Sequence, residues 1–134
     1  MAIGKKCLIS AFVMFIMAWG VSFFVHGVLL APDYATMQGM RAPADTHPLI
    51  PFMILAHALF GAAFAWIYFQ GKDDSAWMGQ GIRFGLAMAA VTVIPMYLIY
   101  YVVTPVPFAV LVKQVVFDGI RVVLMGVVLA WINR

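Results

Sequence analysis

Few residues in this chain can do chemistry, and five of them have helical spacing or comparable depth: His26, His57, Gln114, Asp118 and Arg121. Gln114, Asp118 and Arg121 stand at i, i+4 and i+7, which is one face of a helix. Asp118 and Arg121 are one turn apart and can pair directly. A histidine brought to that pair can exchange a proton with it, since imidazole is the side chain that changes charge near neutral pH.

Counting depth at 1.5 Å per residue puts His57 about 12 Å below Leu49, Asp118 about 15 Å below Phe108 and His26 about 8 Å below Ala31. These depths predict a His57–Asp118–Arg121 cluster with His26 above it and Ser22, Thr92 and Tyr97 close by. The plainest role for such a cluster is structural, a buried ion pair and a histidine hydrogen bond that fix how helices pack. The chemical readings are a proton or ion path in which His57 titrates against Asp118, haem ligation by His26 and His57, and a metal or quinone site. Met37, Met40 and His47 are soft or borderline ligands of the kind copper takes. Among ten methionines such proximity is expected by chance, and packing at an interface accounts for Met37 and Met40 more simply.

Other chemistries lack their residues. Ser10, Ser22 and Ser75 are the only serines, and none stands in a nucleophile elbow. The single cysteine, Cys7, forbids an intrachain disulfide and a cysteine-cluster metal site. It lies beside Lys5 and Lys6, where palmitoylation is conceivable, although a packed thiol is the simpler reading. No phosphate loop or GxGxxG is present, and Asp73-Asp74 reads as a solvated turn beside Lys72. The sequence therefore predicts no enzyme, no resident metal and no cofactor, haem being the one cofactor the histidines leave open.

The elements that must position these groups follow from composition. Of 134 residues, 66% are hydrophobic and 10% charged, with a mean hydropathy of +1.03. Soluble domains average roughly 45–50% apolar and about 25% charged, so an ordinary water-soluble fold is excluded. Disordered chains are polar and poor in aromatics, and this one is 15% aromatic. The net charge of +3 is spread along the chain and forms no basic stripe for nucleic acid.

A spanning helix needs about 20 mostly apolar residues. Residues 7–31, 49–70 and 84–103 carry no Asp, Glu, Lys or Arg, while 108–133 carries Lys113, Asp118 and Arg121. Lipid offers the backbone no hydrogen bonds, so such segments must be helical. The expected fold is all-α: a single transmembrane domain, 1–134, forming a bundle of four membrane helices at about 7–31, 49–70, 80–103 and 108–133. An outer loop, 32–48, is expected to hold a short interfacial helix that turns Tyr34, Met37 and Met40 toward lipid. The first run is longer than a secretory h-region and no small-x-small site follows it, so it is expected to remain as an anchor.

Lys5, Lys6, Lys72, Arg83 and Arg134 fall on one side and Arg41 and Lys113 on the other, Lys113 by snorkelling. That asymmetry predicts both termini in the cytoplasm, in a multi-pass protein of the cell inner (plasma) membrane. Tyr34, Tyr97, Tyr100 and Tyr101 at one level, and Trp66, Tyr68, Trp77 and Trp131 at the other, suggest two interfacial belts. No inverted repeat is visible, which weakens a transporter reading.

Small residues allow helices to approach closely in lipid. Gly81, Gly85 and Ala89 stand at four-residue steps, and Gly119, Gly126 and Ala130 lie near one face of the last helix. Gly20, Gly27 and the Gly61-Ala62-Ala63 run offer further contacts. Such faces serve packing within one bundle, or docking to another subunit. The functional expectation is a small non-catalytic integral membrane protein, an accessory subunit whose partners are the lipid bilayer and other membrane protein subunits, with a bioenergetic complex as a plausible host. The alternative is a small proton or ion transport protein, or a haem-binding redox protein, working through the polar cluster.

Overall fold

Apolar runs set where the helices of this protein lie, and prolines set where they start and break. The computed structural model describes residues 4–134. Helix α1 covers Lys5–Phe24 and continues through a π-helical turn, Val25–Leu29, closed by the Leu30 N–H donating to the Val25 carbonyl at 2.9 Å. A short helix α2, Ala31–Ala35, follows at once, with Pro32 in its first turn. There the ring costs no hydrogen bond, because the N–H it lacks would have no partner. The chain then turns at Gly39, whose φ of 82° suits a residue without Cβ.

Helix α3, Pro43–Thr46, and a 3₁₀ turn, His47–Leu49, lead into α4, Ile50–Gly71. Helix α5, Trp77–Thr92, is followed by α6, Ile94–Val103, and α7 runs over Phe108–Ile132. Among the described residues no strand occurs. Lys5–Leu29, Pro43–Gly71, Trp77–Val103 and Phe108–Ile132 are long and apolar enough to cross a membrane. Four such helices suggest a membrane protein.

Two boundaries differ from expectation. The third helix is not continuous over 80–103 but breaks at Val93. Pro95 has no N–H for the Val91 carbonyl, and the Thr92 hydroxyl bonds back to the Met88 carbonyl at 2.7 Å, a contact that also bends helices. The loop helix is shorter than expected, ending at Ala35, while Pro43–Thr46 joins the second long helix.

The molecule is apolar outside and polar in places within. Phe12, Phe52, Val91 and Val102 are exposed, whereas Ser10, Gln80, Gln114, Asp118 and Asn133 are buried. Helices α1 and α4 form one tight pair, α5 and α7 another, and α1 also packs on α7. Glycines make both pairs close. A Cβ on Gly126 would lie 2.5 Å from the Gly81 carbonyl oxygen and 2.9 Å from the Gly85 backbone, and one on Gly61 would lie 2.5 Å from the Phe15 nitrogen. Backbone cannot retreat from such a contact, so these positions exclude any side chain. Ala89 and Ala130 are buried in the same core. Gly119 and Gly20 face open space. Gly119 therefore takes no part in helix packing, because the α7 face that meets α5 is set by Gly126.

The end holding the chain termini is sealed. Asn133 donates to the Ser10 hydroxyl at 2.9 Å, and Tyr68 donates to Gln80 Oε1 at 2.6 Å. Phe64 and Phe84 meet edge to face with centroids 4.8 Å apart between α4 and α5. Tyr68 and Tyr97 are buried rather than placed in surface belts, because each has a polar partner inside.

Candidate functional site

The opposite end gathers the polar residues. Asp118, fully buried on α7, has Arg121 Nε 2.9 Å from its Oδ1, one turn along the same helix. The angle is poor for a hydrogen bond, so this contact is chiefly a charge pair. Arg121 also donates to the Ala18 carbonyl at 3.3 Å and lies over the Phe60 ring. The other carboxylate oxygen, Oδ2, receives the Tyr97 hydroxyl from α6 in a short hydrogen bond and lies 3.0 Å from His26 Nε2. His26 sits on the π-helical turn, whose extra residue per turn changes the direction of its side chain. Its Nδ1 is 2.6 Å from the Tyr34 hydroxyl, and Gln114 Nε2 donates to that hydroxyl at 3.1 Å.

The proton positions follow from the partners. A carboxylate paired with a guanidinium can only accept, so His26 Nε2 carries a hydrogen and donates to it. With a neutral imidazole Nδ1 is then an acceptor to which Tyr34 donates, whereas an imidazolium would donate from Nδ1 to Tyr34. In the neutral form Gln114 must in turn present Nε2, because the only Tyr34 hydrogen is already used. The result is a relay in which Gln114, Tyr34 and His26 each donate toward Asp118. Burial pushes the Tyr34 phenol above its usual range, although the Gln114 hydrogen bond acts in the other direction. The hydroxyl therefore keeps the proton that the relay requires.

Beside the relay lies a cavity of about 810 Å³, walled by α2, the loop after it, α6 and the 104–107 turn. His26, Tyr34, Tyr97 and Gln114 line its floor; Met37, Met40, Met96 and Val106 line its walls. A volume of this size falls in the range that holds small ligands, about 300–1,000 Å³, and its mix of apolar wall and few polar groups is the common pattern.

The structure brings His26, Gln114, Asp118 and Arg121 together and leaves His57 out. His57 Nδ1 bonds to the Met53 carbonyl one turn back in its own helix at 2.7 Å, and its ring meets Trp19 edge-on at 5.3 Å. Equal depth did not mean a shared face, so the His57–Asp118 contact is replaced by His26–Asp118. Haem ligation by His26 and His57 does not fit either, since both His26 nitrogens are engaged. Lys113, with its side chain 47% exposed, reaches past the end of the first long helix. It pairs with Asp33 at 2.9 Å and ties α2 to α7. Met37 and Met40 line the cavity without His47, so the copper trio does not assemble.

Tyr34 is the participant that sequence reasoning turned the wrong way, toward lipid. Its neighbour Asp33 held the signal, because a carboxylate next to the tyrosine and Lys113 on the last helix were a complementary pair waiting to be matched. No family model matches the chain, and comparison with curated proteins and with solved structures gave no match.

Proposed function

We propose that this is a non-catalytic, multi-pass integral membrane protein that binds a small amphipathic molecule in the cavity beside the His26–Asp118 relay. The observation that carries the reading is the pairing of that cavity with a floor of connected polar groups. Apolar walls alone would be filled by any acyl chain, whereas four polar side chains on one floor select a head group. In this reading the four helices cross the membrane and both termini share one side, which the lysine and arginine asymmetry favours as the cytoplasm, with the bacterial inner membrane as the expected host. The small-residue faces that suggested docking to another subunit are used inside the bundle: Gly81, Gly85 and Gly126 touch each other across α5 and α7.

Native mass spectrometry of the protein released from nanodiscs tests the binding reading. The wild type is expected to retain a small molecule that Val106→Trp, which intrudes on the cavity from the 104–107 turn, holds more weakly or loses. Identical spectra for the two would overturn it. Orientation is tested in a Cys7→Ser background with an impermeant thiol label. Ser75→Cys should react from the cytoplasmic side and Gln38→Cys from the other, and the reverse pattern would refute the topology.

A further inference from the structure

His26 is the one side chain lining the cavity that can take on a full charge near neutral pH, and among the described residues no acidic side chain lines it. What surrounds the imidazole decides what its charging does. From α7 it faces Asp118, which is paired with Arg121, and from α6 the Tyr97 hydroxyl at 3.3 Å. From α2 it faces Tyr34, whose neighbour Asp33 is paired with Lys113 of α7. Arg121 balances Asp118 and Lys113 balances Asp33, so these charges sum to zero. A proton taken up by His26 therefore gives the group one net positive charge.

The same proton turns the Tyr34 hydroxyl around. Beside a neutral ring protonated at Nε2, Tyr34 gives its hydrogen to Nδ1, accepts one from Gln114 and keeps one lone pair free. Beside an imidazolium, Nδ1 becomes the donor. Both Tyr34 lone pairs are then filled, by His26 and Gln114, and the hydroxyl hydrogen is left for the cavity. In either state the second Nε2 hydrogen of Gln114, the Gln38 amide and the Tyr100 hydroxyl are further donors on the lining. Charging His26 thus adds a positive charge and a hydrogen-bond donor at the same place.

We propose that the cavity takes up a single-chain anionic amphiphile, a carboxylate or sulfonate, together with one proton that resides on His26. Tyr34 in its turned state and Gln114 donate to the head group, while the chain lies against Met37, Met40 and Met96. The inference rests on the ligand-binding reading above and adds the charge of the head group and the proton that accompanies it. The proton comes from the surrounding water and returns there when the anion leaves. A cationic head group meets no carboxylate on the lining. A volume of about 810 Å³, in the small-ligand range, suits one chain rather than a two-chain lipid. Because the anion favours the charged ring, the charged ring favours the anion by the same factor.

Dodecanesulfonate is the decisive probe, because it stays anionic at every working pH and any proton taken up must go to the protein. The measurement is NMR of methionine methyl groups in phosphatidylcholine nanodiscs, with affinities referred to the measured probe content of the bilayer. The sulfonate is expected to shift the Met37, Met40 and Met96 signals, and its affinity to fall about tenfold per pH unit above the imidazole titration. Dodecanol is expected to show no such slope. His26→Gln, which keeps a hydrogen-bonding side chain but cannot charge, should bind the sulfonate weakly at all pH values. Should that variant not fold, histidine-labelled wild type still decides: at fixed pH the sulfonate should raise the imidazolium fraction of His26. A sulfonate affinity independent of pH, or an unchanged imidazolium fraction, would overturn the inference while leaving the binding site intact. Tighter binding of dodecyltrimethylammonium than of the sulfonate at low pH would overturn the choice of an anion. Phosphatidylglycerol in the nanodisc moving the same signals as the sulfonate does would overturn the single chain. If no probe moves these signals, the inference and the binding reading fall together.

Discussion

The two ends of this molecule are built on opposite principles. At the end holding the termini, glycines let backbones touch: a Cβ on Gly126 would sit 2.5 Å from the Gly81 oxygen. At the other end, a π-helical turn at Val25–Leu29 and a one-residue interruption at Val93 break the regularity of the helices. What fills the gap there is a ring of hydrogen bonds around Asp118 and an open cavity. Close backbone contact at glycines, with the Asn133–Ser10 and Tyr68–Gln80 hydrogen bonds, holds the closed end, and a charge pair with its hydrogen bonds holds the open one. The lesson is that the roomiest cavity, about 810 Å³ against about 340 Å³ at the terminal end, lies beside the two irregular joints.

Removing the charge at the centre of the open end should have the largest effect. Asp118→Ala strands Arg121 without its counter-charge, and breaking a buried pair costs about 3–5 kcal/mol. A large drop in thermal stability in detergent is expected, and a wild-type melting temperature would show that the relay does not hold this end. Replacing Gly126 by Val attacks the closed end instead. Overpacking of this kind costs about 1–3 kcal/mol, and here the obstructing atoms are backbone, so the upper part of that range is expected. Gly126→Val should also leave the small molecule retained in whatever fraction folds, which separates the two ends experimentally.

Tyr97→Phe is a finer cut. It removes one donor to Asp118 without opening space, and the expected loss is about 1–2 kcal/mol, within the range for hydrogen bonds to charged groups. Gly119→Ala serves as the contrast to Gly126. Nothing lies near its Cβ direction, so the change should be neutral or stabilising by up to about 1 kcal/mol through helix propensity. Destabilisation comparable to Gly126→Val would show that the closed seam extends further along α7 than the structure places it.

The smallest effect belongs to the turn before α5. Hydrogen bonds from Ser75, through its side chain and then its backbone, hold the Asp73 carboxyl below its usual range. Its Oδ1 also accepts from Gln80 Nε2 at 2.6 Å. A carboxyl depressed in the folded state adds stability above its unfolded pKa and loses it as pH falls through the folded value. A slight fall in melting temperature is therefore expected on acidification below roughly pH 4, and Asp73→Asn should remove that component. An unchanged pH profile in Asp73→Asn would mean the turn contributes nothing.

Much of this was legible in the residues, for reasons that also explain what was not. Long uncharged runs announce helices, and the four-residue steps of Gly81, Gly85 and Ala89 announce a close crossing. The i, i+3 spacing of Asp118 and Arg121 is fixed by one regular helix, so that pair could be read directly. The partner histidine could not. Choosing between His26 and His57 by depth assumes straight helices with known facing sides, and the π-helical turn at His26 changes both. Tyr34 was hidden for a related reason, since α2 is placed by contacts with distant residues, Tyr34 with Gln114 and Asp33 with Lys113, each eighty residues later. Local pattern reports local geometry, whereas a site assembled from four separate segments depends on the irregular joints between them.

The joint at Val93 is one residue long and is spanned by helical hydrogen bonds, from the Val93 N–H to the Ala89 carbonyl and from the Tyr97 N–H to the Val93 carbonyl. Ten residues long, α6 is a rigid rod of about 15 Å. Pivoting it by about 10° at its root carries the far tip sideways by some ~3 Å, at the rise of an ordinary helix. That displacement widens or narrows the entrance near Tyr100 and Thr104 while the glycine seam between α5 and α7 stays still. Such a tilt is coupled to the relay, because Tyr97 lies on the same short rod and donates to Asp118.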